Sequence, residues 1–105
     1  MEVLCAVAAE YGRPLVIHLR SEADTIVKSM TEVLDISHST GVYAHLSHFK
    51  ICGRNNADKF DQVIDLLDLA KEEGLTVSFD QYPYIAGSTM MGACPGHTPE
   101  ETKNC

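Results

Sequence analysis

The feature that most constrains the fold of this 105-residue chain is a regular alternation of helical apolar stripes with short, apolar, β-branched runs. Such runs are typical of buried strands, and the stripes are typical of amphipathic helices. The predicted elements are a helix over 2–11, a strand over 15–19, a helix capped by Ser21 or Asp24 that fades over 37–41, a strand over 42–47, a helix capped by Asp58 that ends over 71–74, and a strand over 75–79. This α-β-α-β-α-β order predicts an α/β fold with a parallel sheet and right-handed crossovers.

The number of strands limits the architecture further. A repeat of about 30 residues fits part of a (β/α)8 barrel, whose complete form needs about 250 residues. It also fits a small open sheet, but three isolated parallel strands would leave two unpaired edges. We therefore expect a partial (β/α)8 barrel over residues 1–89, which belongs to a larger barrel or forms a homo-oligomer through its sheet edges. Residues 90–105, rich in Gly and Pro, predict an irregular C-terminal tail.

Composition and charge exclude several classes of partner. The formal net charge of −7 makes nucleic acid a poor ligand, and no apolar run approaches the roughly 20 residues of a membrane span. The first residues lack the basic segment of a secretory signal peptide. None of the four cysteines forms a CxxC pair, so we expect reduced thiols in a cytoplasmic protein.

Polar clusters follow each predicted strand, where parallel α/β folds place their chemistry. They are residues 18–22, 45–50 and 80–84. His18 and His48 occupy matching places after neighbouring strands, so their imidazoles can converge on one ion, and neutral imidazole suits zinc. The alternative is a pair of histidines with ordinary hydrogen-bond partners. His45 lies three residues before His48, so we expect it on the other face with a structural role.

The remaining polar residues of these clusters allow two interpretations each. Arg20 and Glu22 can form a supporting ion pair or bind polar groups of a substrate, or they can be a plain surface pair. Lys50 can offer a cation to a carboxylate, or it can be an exposed lysine. The phenols of Tyr82 and Tyr84 flank a proline and can bind an oxyanion or carboxylate, or they can pack at a rim.

Taken together, the order and spacing of the three clusters resemble those of a known protein family. The segments IHLRSE (17–22), SHFK (47–50) and DQYPYIAGST (80–89) resemble the D-aminoacylase (N-acyl-D-amino-acid deacylase) family of the metal-dependent amidohydrolase superfamily. The resemblance covers roughly residues 1–90. It implies strands five to seven of a (β/α)8 barrel, hydrolysis of the amide bond of N-acyl-D-amino acids, and a zinc cofactor.

The resemblance also implies roles for individual residues. His18 and His48 match the metal-binding histidines after strands five and six. Lys50, Tyr82 and Ser88 match contacts to the substrate carboxylate and the reacting carbonyl, and Arg20 is our fourth candidate for substrate binding.

Several parts of the family pattern have no match in this sequence. They are the His-x-His pair of strand one, the bridging ligand and the strand-eight Asp that serves as general base; Asp80 and Cys94 do not replace them. We therefore assign no catalytic residue here. We expect weak or absent zinc in the isolated chain, and little or no hydrolysis by it.

Other functions remain open at this point. A nucleotide-binding α/β module would need a glycine-rich loop after a strand, and neither GxGxxG nor a P-loop is present. A non-catalytic protein that self-associates would show concentration-dependent assembly without metal dependence. A dihydroorotase-like or imidase-like hydrolase would share the barrel and the two histidines, but the YPY and AGST segments favour the deacylase.

Overall fold

The computed structural model describes residues 1–88 and contains one small parallel sheet with helices between its strands. The elements are α1 (Glu2–Glu10), β1 (Leu15–Ile17), α2 (Ile26–Thr40), β2 (Ala44–Leu46), a 3-10 helix (Arg54–Lys59), α3 (Phe60–Glu72) and β3 (Val77–Phe79). The strands pair in chain order, β1 with β2 and β2 with β3, both parallel. The predicted alternation and parallel sheet are confirmed. The tail predicted over 90–105 lies outside the described residues.

The strand register divides the sheet into two chemically different faces. Val16 lies opposite His45, which lies opposite Ser78, and these three side chains share one face because strand side chains alternate. Ala44 and Leu46 point to the other face, where they are buried. The sheet therefore turns its apolar side to the helices and a partly polar side away from them.

The main core lies between the sheet and the helices α2 and α3. Its buried members are Leu19, Ile26, Met30, Val33, Ala44, Leu46, Phe49 and Val63. Full burial of a large aliphatic side chain contributes about 1.5–3 kcal/mol, so this cluster anchors both crossovers. At the end of α2, Gly41 adopts a left-handed φ of 74°, which stops the helix and leads the chain into β2.

The helix starts differ from those predicted. Helix α2 begins at Ile26, and Thr25 precedes it without a side-chain capping bond. The Ser21 hydroxyl instead accepts a hydrogen bond from the Ala23 N–H. The Asp24 carboxylate accepts one from Asn56. Asp58 lies inside the 3-10 helix rather than at its end. The predicted caps are therefore wrong, because Ser21 and Asp24 bond within the loops before the helices and Asp58 lies two residues before α3.

The apolar stripe predicted for the first helix is mostly exposed. Val3, Leu4 and Tyr11 are all more than 70% exposed, and Cys5 is the buried residue of α1. Cys5 packs with Ile36 and Val42 in a second small cluster. In α3, Phe60 and Ile64 belong to the apolar stripe of the helix and are also exposed. Periodicity identified the helices but not the packed face, because burial depends on which neighbours each helix meets. Every helix in residues 1–88 is too short or too polar to cross a membrane.

Candidate metal centre

The structure brings His18 and His48 together at the carboxyl ends of β1 and β2. His18 directly follows β1, and His48 follows β2 by two residues. Because these strands are neighbours in the sheet, the two imidazoles meet: His18 Nδ1 lies 2.9 Å from His48 Nε2, and the ring centroids are 4.6 Å apart. Each ring thus directs one nitrogen toward the other across a single gap.

Glu22 is the third member of the cluster. Its Oε1 lies 2.8 Å from His48 Nδ1 and 3.8 Å from His18 Nδ1. The side chain is only 10% exposed, although carboxylates are costly to bury without partners. The two histidines and Glu22 form a group whose candidate ligand atoms all lie within 4.8 Å of one another.

The sequence interpretation missed this position of Glu22. It paired Glu22 with Arg20, since residues two apart share a side of an extended segment. The chain is not extended after Leu19: it turns through residues 20–25 before α2 begins. One signal in the sequence could have indicated this position: Glu22 is an acidic residue four places after His18, in the loop that precedes α2.

Arg20 therefore has a different partner from the one predicted. Its Nε and Nη2 donate hydrogen bonds of 3.0 and 2.8 Å to the Glu32 carboxylate on α2. This hydrogen bond and the charge of Glu32 raise the pKa of the Arg20 guanidinium. Of the alternatives considered for Arg20, the ion pair with Glu22 is therefore wrong, because the guanidinium pairs with Glu32 instead.

Lys50 lies in the same cluster rather than free on the surface. Its ammonium donates to Glu22 Oε2 at 2.5 Å and to the His48 carbonyl at 3.2 Å. Partial burial lowers the pKa of Lys50, but the hydrogen bond and charge of Glu22 outweigh it and the net pKa is raised. The ammonium also lies 5.5 Å from the centroid of the Tyr82 ring, within the range of a cation–π contact.

A second layer of hydrogen bonds supports the loop that carries His48. The Asp80 carboxylate accepts a 2.7 Å bond from the His48 backbone N–H and lies 2.9 Å from His45 Nε2. The hydrogen bond from His45, together with that from the His48 backbone, lowers the pKa of Asp80. The other ring nitrogen of His45 contacts Ser78 at 2.6 Å. His45 thus faces away from the buried core, in a structural network.

The segment after β3 holds the remaining candidates. Tyr82 is half-buried, whereas Tyr84 and Ser88 are exposed. A Cβ at Gly87 would stand 3.1 Å from the Tyr82 hydroxyl, so this segment folds back on itself. The carboxyl-end loops thus place Lys50 and Tyr82 side by side, next to the two histidines.

The chemistry of the cluster fits a zinc ion. Two imidazoles bound to tetrahedral zinc at about 2.0–2.1 Å place their nitrogens roughly 3.3 Å apart. The facing nitrogens of His18 and His48 are 2.9 Å apart, close to that separation. The three residues and Lys50 form one continuous polar group, in which candidate metal ligands adjoin a cation that can bind an anion.

Comparison with known proteins finds related sequences over most of the chain. It is 32% identical over 88 residues to a D-aminoacylase of Alcaligenes xylosoxydans xylosoxydans; the match covers 84% of this chain and 18% of that protein. An N-acyl-D-aspartate deacylase of the same organism is 36% identical over 74 residues, or 70% of this chain and 15% of the relative. No family model matches the sequence.

Solved structures of deacylases share this fold, and one of them holds zinc. An N-acyl-D-glutamate deacylase from Bordetella bronchiseptica, complexed with zinc and a phosphonate inhibitor, superposes with a TM-score of 0.77 at 37% identity, over 80% of this chain and 18% of that one. A D-aminoacylase structure gives a TM-score of 0.74 at 29% identity, over 82% of this chain and 18% of that one. The chain thus spans about 18% of the length of these relatives.

Proposed function

Since the chain is homologous over most of its length to one segment of the D-aminoacylase (N-acyl-D-amino-acid deacylase) family, we propose that it supplies part of the metal and substrate site of a hydrolase that cleaves the amide bond of N-acyl-D-amino acids. The three strands then correspond to strands five to seven of a (β/α)8 barrel. The observation that supports the proposal best is the convergence of His18, His48 and Glu22 at the ends of neighbouring parallel strands.

The proposed metal ligands are His18 and His48. When bound, zinc supplies the Lewis acidity that activates water and the amide carbonyl. The two imidazoles would hold the ion at the carboxyl ends of β1 and β2, where the polar loops after these strands meet. Glu22 lies beside both rings and contributes negative charge.

The proposed substrate contacts lie next to these ligands. Lys50 is charged and points into the cluster, so its ammonium binds the carboxylate of an N-acyl-D-amino acid. Tyr82 lies beside that ammonium and provides a hydroxyl for the carboxylate or the carbonyl. Ser88 and Arg20 are proposed as further contacts. Ser88 is exposed, and Arg20 would have to leave Glu32 to bind substrate.

The proposal assigns no general base within the 105 residues, because the family's strand-eight Asp has no match in the sequence. Little or no hydrolysis by the chain alone is therefore expected, with weak or absent zinc binding. A cytoplasmic location is also part of the proposal and rests on the cysteine pattern.

Zinc binding by the purified chain tests the proposal. A competition titration with a chromophoric chelator would compare the wild type with a His18→Ala/His48→Ala double variant. The matched control is His38→Ala, because His38 is exposed in the last turn of α2. We expect zinc binding that the double variant loses and the control keeps. Equal zinc binding by all three proteins would contradict the proposed metal site.

Hydrolysis is tested in the same preparations with N-acetyl-D-methionine, against its L-enantiomer as control. Little or no turnover is expected from the chain alone. Robust, zinc-dependent turnover would contradict the expectation that residues outside these 105 complete the machinery.

A second candidate function is self-association without catalysis. The sheet face that points away from the helices carries an exposed apolar side chain, Val16, at 61%. Parallel sheets normally have both faces covered, so a second copy could bury this surface. Sedimentation velocity over a hundredfold concentration range tests this. A monomer throughout would exclude it, whereas assembly unaffected by zinc or by loss of the two histidines would favour it over the metal site.

A further inference from the structure

We propose that Glu22 is a positioning residue, which fixes the His48 ring in the tautomer that leaves Nε2 available to a metal and anchors Lys50 against the same ring. The inference rests on the proposed function, because it assigns a role within the same site. It goes beyond that function by separating the residues that would touch the metal from the one that orients them.

The tautomer follows from the chemistry of the two partners. An ionised carboxylate only accepts hydrogen bonds, so the 2.8 Å contact between Glu22 Oε1 and His48 Nδ1 requires a proton on Nδ1. Lys50 Nζ lies 3.1 Å from the same nitrogen, but a protonated Nδ1 cannot accept from an ammonium, so Lys50 donates to Glu22 Oε2 and the His48 carbonyl. In the neutral ring, Nε2 then carries the lone pair, and Nε2 is the atom that faces His18.

The Glu22 carboxylate contacts the His48 ring at a different nitrogen from His18: Glu22 Oε1 lies 2.8 Å from His48 Nδ1, whereas His18 contacts Nε2. The same oxygen is 3.8 Å from His18 Nδ1, so the carboxylate adjoins both rings. A carboxylate that accepts from the far nitrogen of a metal-binding histidine is a common arrangement in metal sites, where it fixes the tautomer and strengthens the ligand.

Glu22 is itself held firmly enough to orient its neighbours. Its backbone carbonyl accepts a 2.7 Å hydrogen bond from the Cys52 N–H, which ties the loop after β1 to the loop after β2. Its side chain is 10% exposed and divides its oxygens, Oε1 to His48 and Oε2 to Lys50. The carboxylate thus connects a proposed metal ligand to a proposed substrate cation.

Two substitutions distinguish positioning from direct ligation. Glu22→Gln keeps a side-chain oxygen that can accept from Nδ1–H, whereas Glu22→Ala removes it. If Glu22 orients His48, Glu22→Ala weakens zinc binding by about 10–100-fold, and Glu22→Gln restores most of the affinity. Glu32→Ala is the matched control, because it removes another ion-paired carboxylate outside the cluster. Equal losses in both Glu22 variants would indicate a metal ligand, and no loss in either would indicate no role; both results overturn the proposal.

A second readout needs neither zinc nor activity. Long-range ¹H–¹⁵N NMR spectra of the metal-free chain at neutral pH report which ring nitrogen of each histidine is protonated, and far-UV circular dichroism verifies that the variants are folded. We expect His48 to carry its proton on Nδ1 in the wild type, and to lose this preference in Glu22→Ala while His38 is unchanged. A wild-type His48 with its proton on Nε2 would overturn the proposal. This measurement is independent of zinc. It therefore tests the role of Glu22 even if the chain does not bind zinc and the proposed function is wrong.

Discussion

The carboxylate of Asp80, the first residue after β3, accepts a 2.7 Å hydrogen bond from the backbone N–H of His48. His48 has a φ of 40°, the one positive value at a non-glycine residue in the described chain. Left-handed backbone costs an L-residue roughly 1–2 kcal/mol, and residues held in this way cluster at functional sites. Asp80 thus supports, from the third strand, the conformation that turns the His48 ring toward His18.

The first prediction concerns this support. Asp80→Ala removes the acceptor for the His48 N–H and for His45 Nε2. We expect zinc affinity to fall by about tenfold, as for other residues that orient a ligand, because the His48 backbone gains freedom. Asp80→Asn keeps one acceptor oxygen and should lose less. Isothermal titration with zinc measures the effect, with Asp61→Ala on the exposed start of α3 as control. Unchanged affinity in Asp80→Ala would show that the loop holds its shape without this bond.

The second prediction tests the positive φ of His48 itself. His48→Ala and His48→Gly both remove the imidazole, so both lose zinc binding that depends on it. Glycine adopts positive φ without the steric cost of a Cβ, so His48→Gly should be more stable than His48→Ala by about 1 kcal/mol. Chemical denaturation of the metal-free variants measures the difference. The same pair at His45, which lies in β2, is the control, and there alanine should be the more stable variant. An alanine advantage at position 48 would refute a left-handed conformation there.

The sequence predicted those parts of the fold that depend on local patterns. Periodicity located three helices and three strands in order, and the placement of His18 and His48 after neighbouring strands predicted that their rings would approach each other. Both predictions rest on geometry that a parallel sheet imposes on any such sequence. Strand lengths were overestimated: β2 spans Ala44–Leu46, where 42–47 had been expected.

Features that depend on distant contacts could not be predicted in this way. Glu22 joins His48 and Lys50 only because the chain turns after Leu19 and meets a loop 26 residues later. Asp80 and His48 are 32 residues apart in sequence and meet only because β3 pairs with β2. The apolar stripe of α1 is exposed for the same reason. An amphipathic pattern identifies the apolar face of a helix but not the element that packs against it.

The third prediction concerns the core that positions these loops. Met30 on α2 is fully buried against the sheet, so Met30→Ala leaves a cavity and should lower the free energy of unfolding by about 2–5 kcal/mol. Leu4→Ala is the matched control, since Leu4 is 74% exposed on α1, and it should change stability by about 0.5 kcal/mol or less. Urea denaturation followed by circular dichroism measures both. Similar losses in the two variants would mean that α1 packs against another surface in solution.

The fourth prediction concerns the pH dependence of the Arg20–Glu32 pair. The hydrogen bond from Arg20 holds the pKa of Glu32 below its usual range. Because the pKa is lower in the folded state than in the unfolded chain, the pair stabilises the fold above the unfolded value of about 4.3. That stabilisation decreases as the pH falls through the lower, folded-state pKa. The effect on the melting temperature is expected to be small, since exposed pairs are screened by solvent.

Carboxyl ¹³C chemical shifts of Glu32 measure this pKa directly. In Arg20→Gln we expect the pKa of Glu32 to rise toward the ordinary glutamate value; the carboxyl signal of Glu72, exposed at the end of α3, serves as the reference. The stability difference between wild type and variant should then be constant near neutral pH and shrink below about pH 4.3. A Glu32 pKa that is equal in the two proteins would show that the guanidinium does not remain on this carboxylate in solution. Arg20 would then be free to contact a substrate, as its proposed role requires.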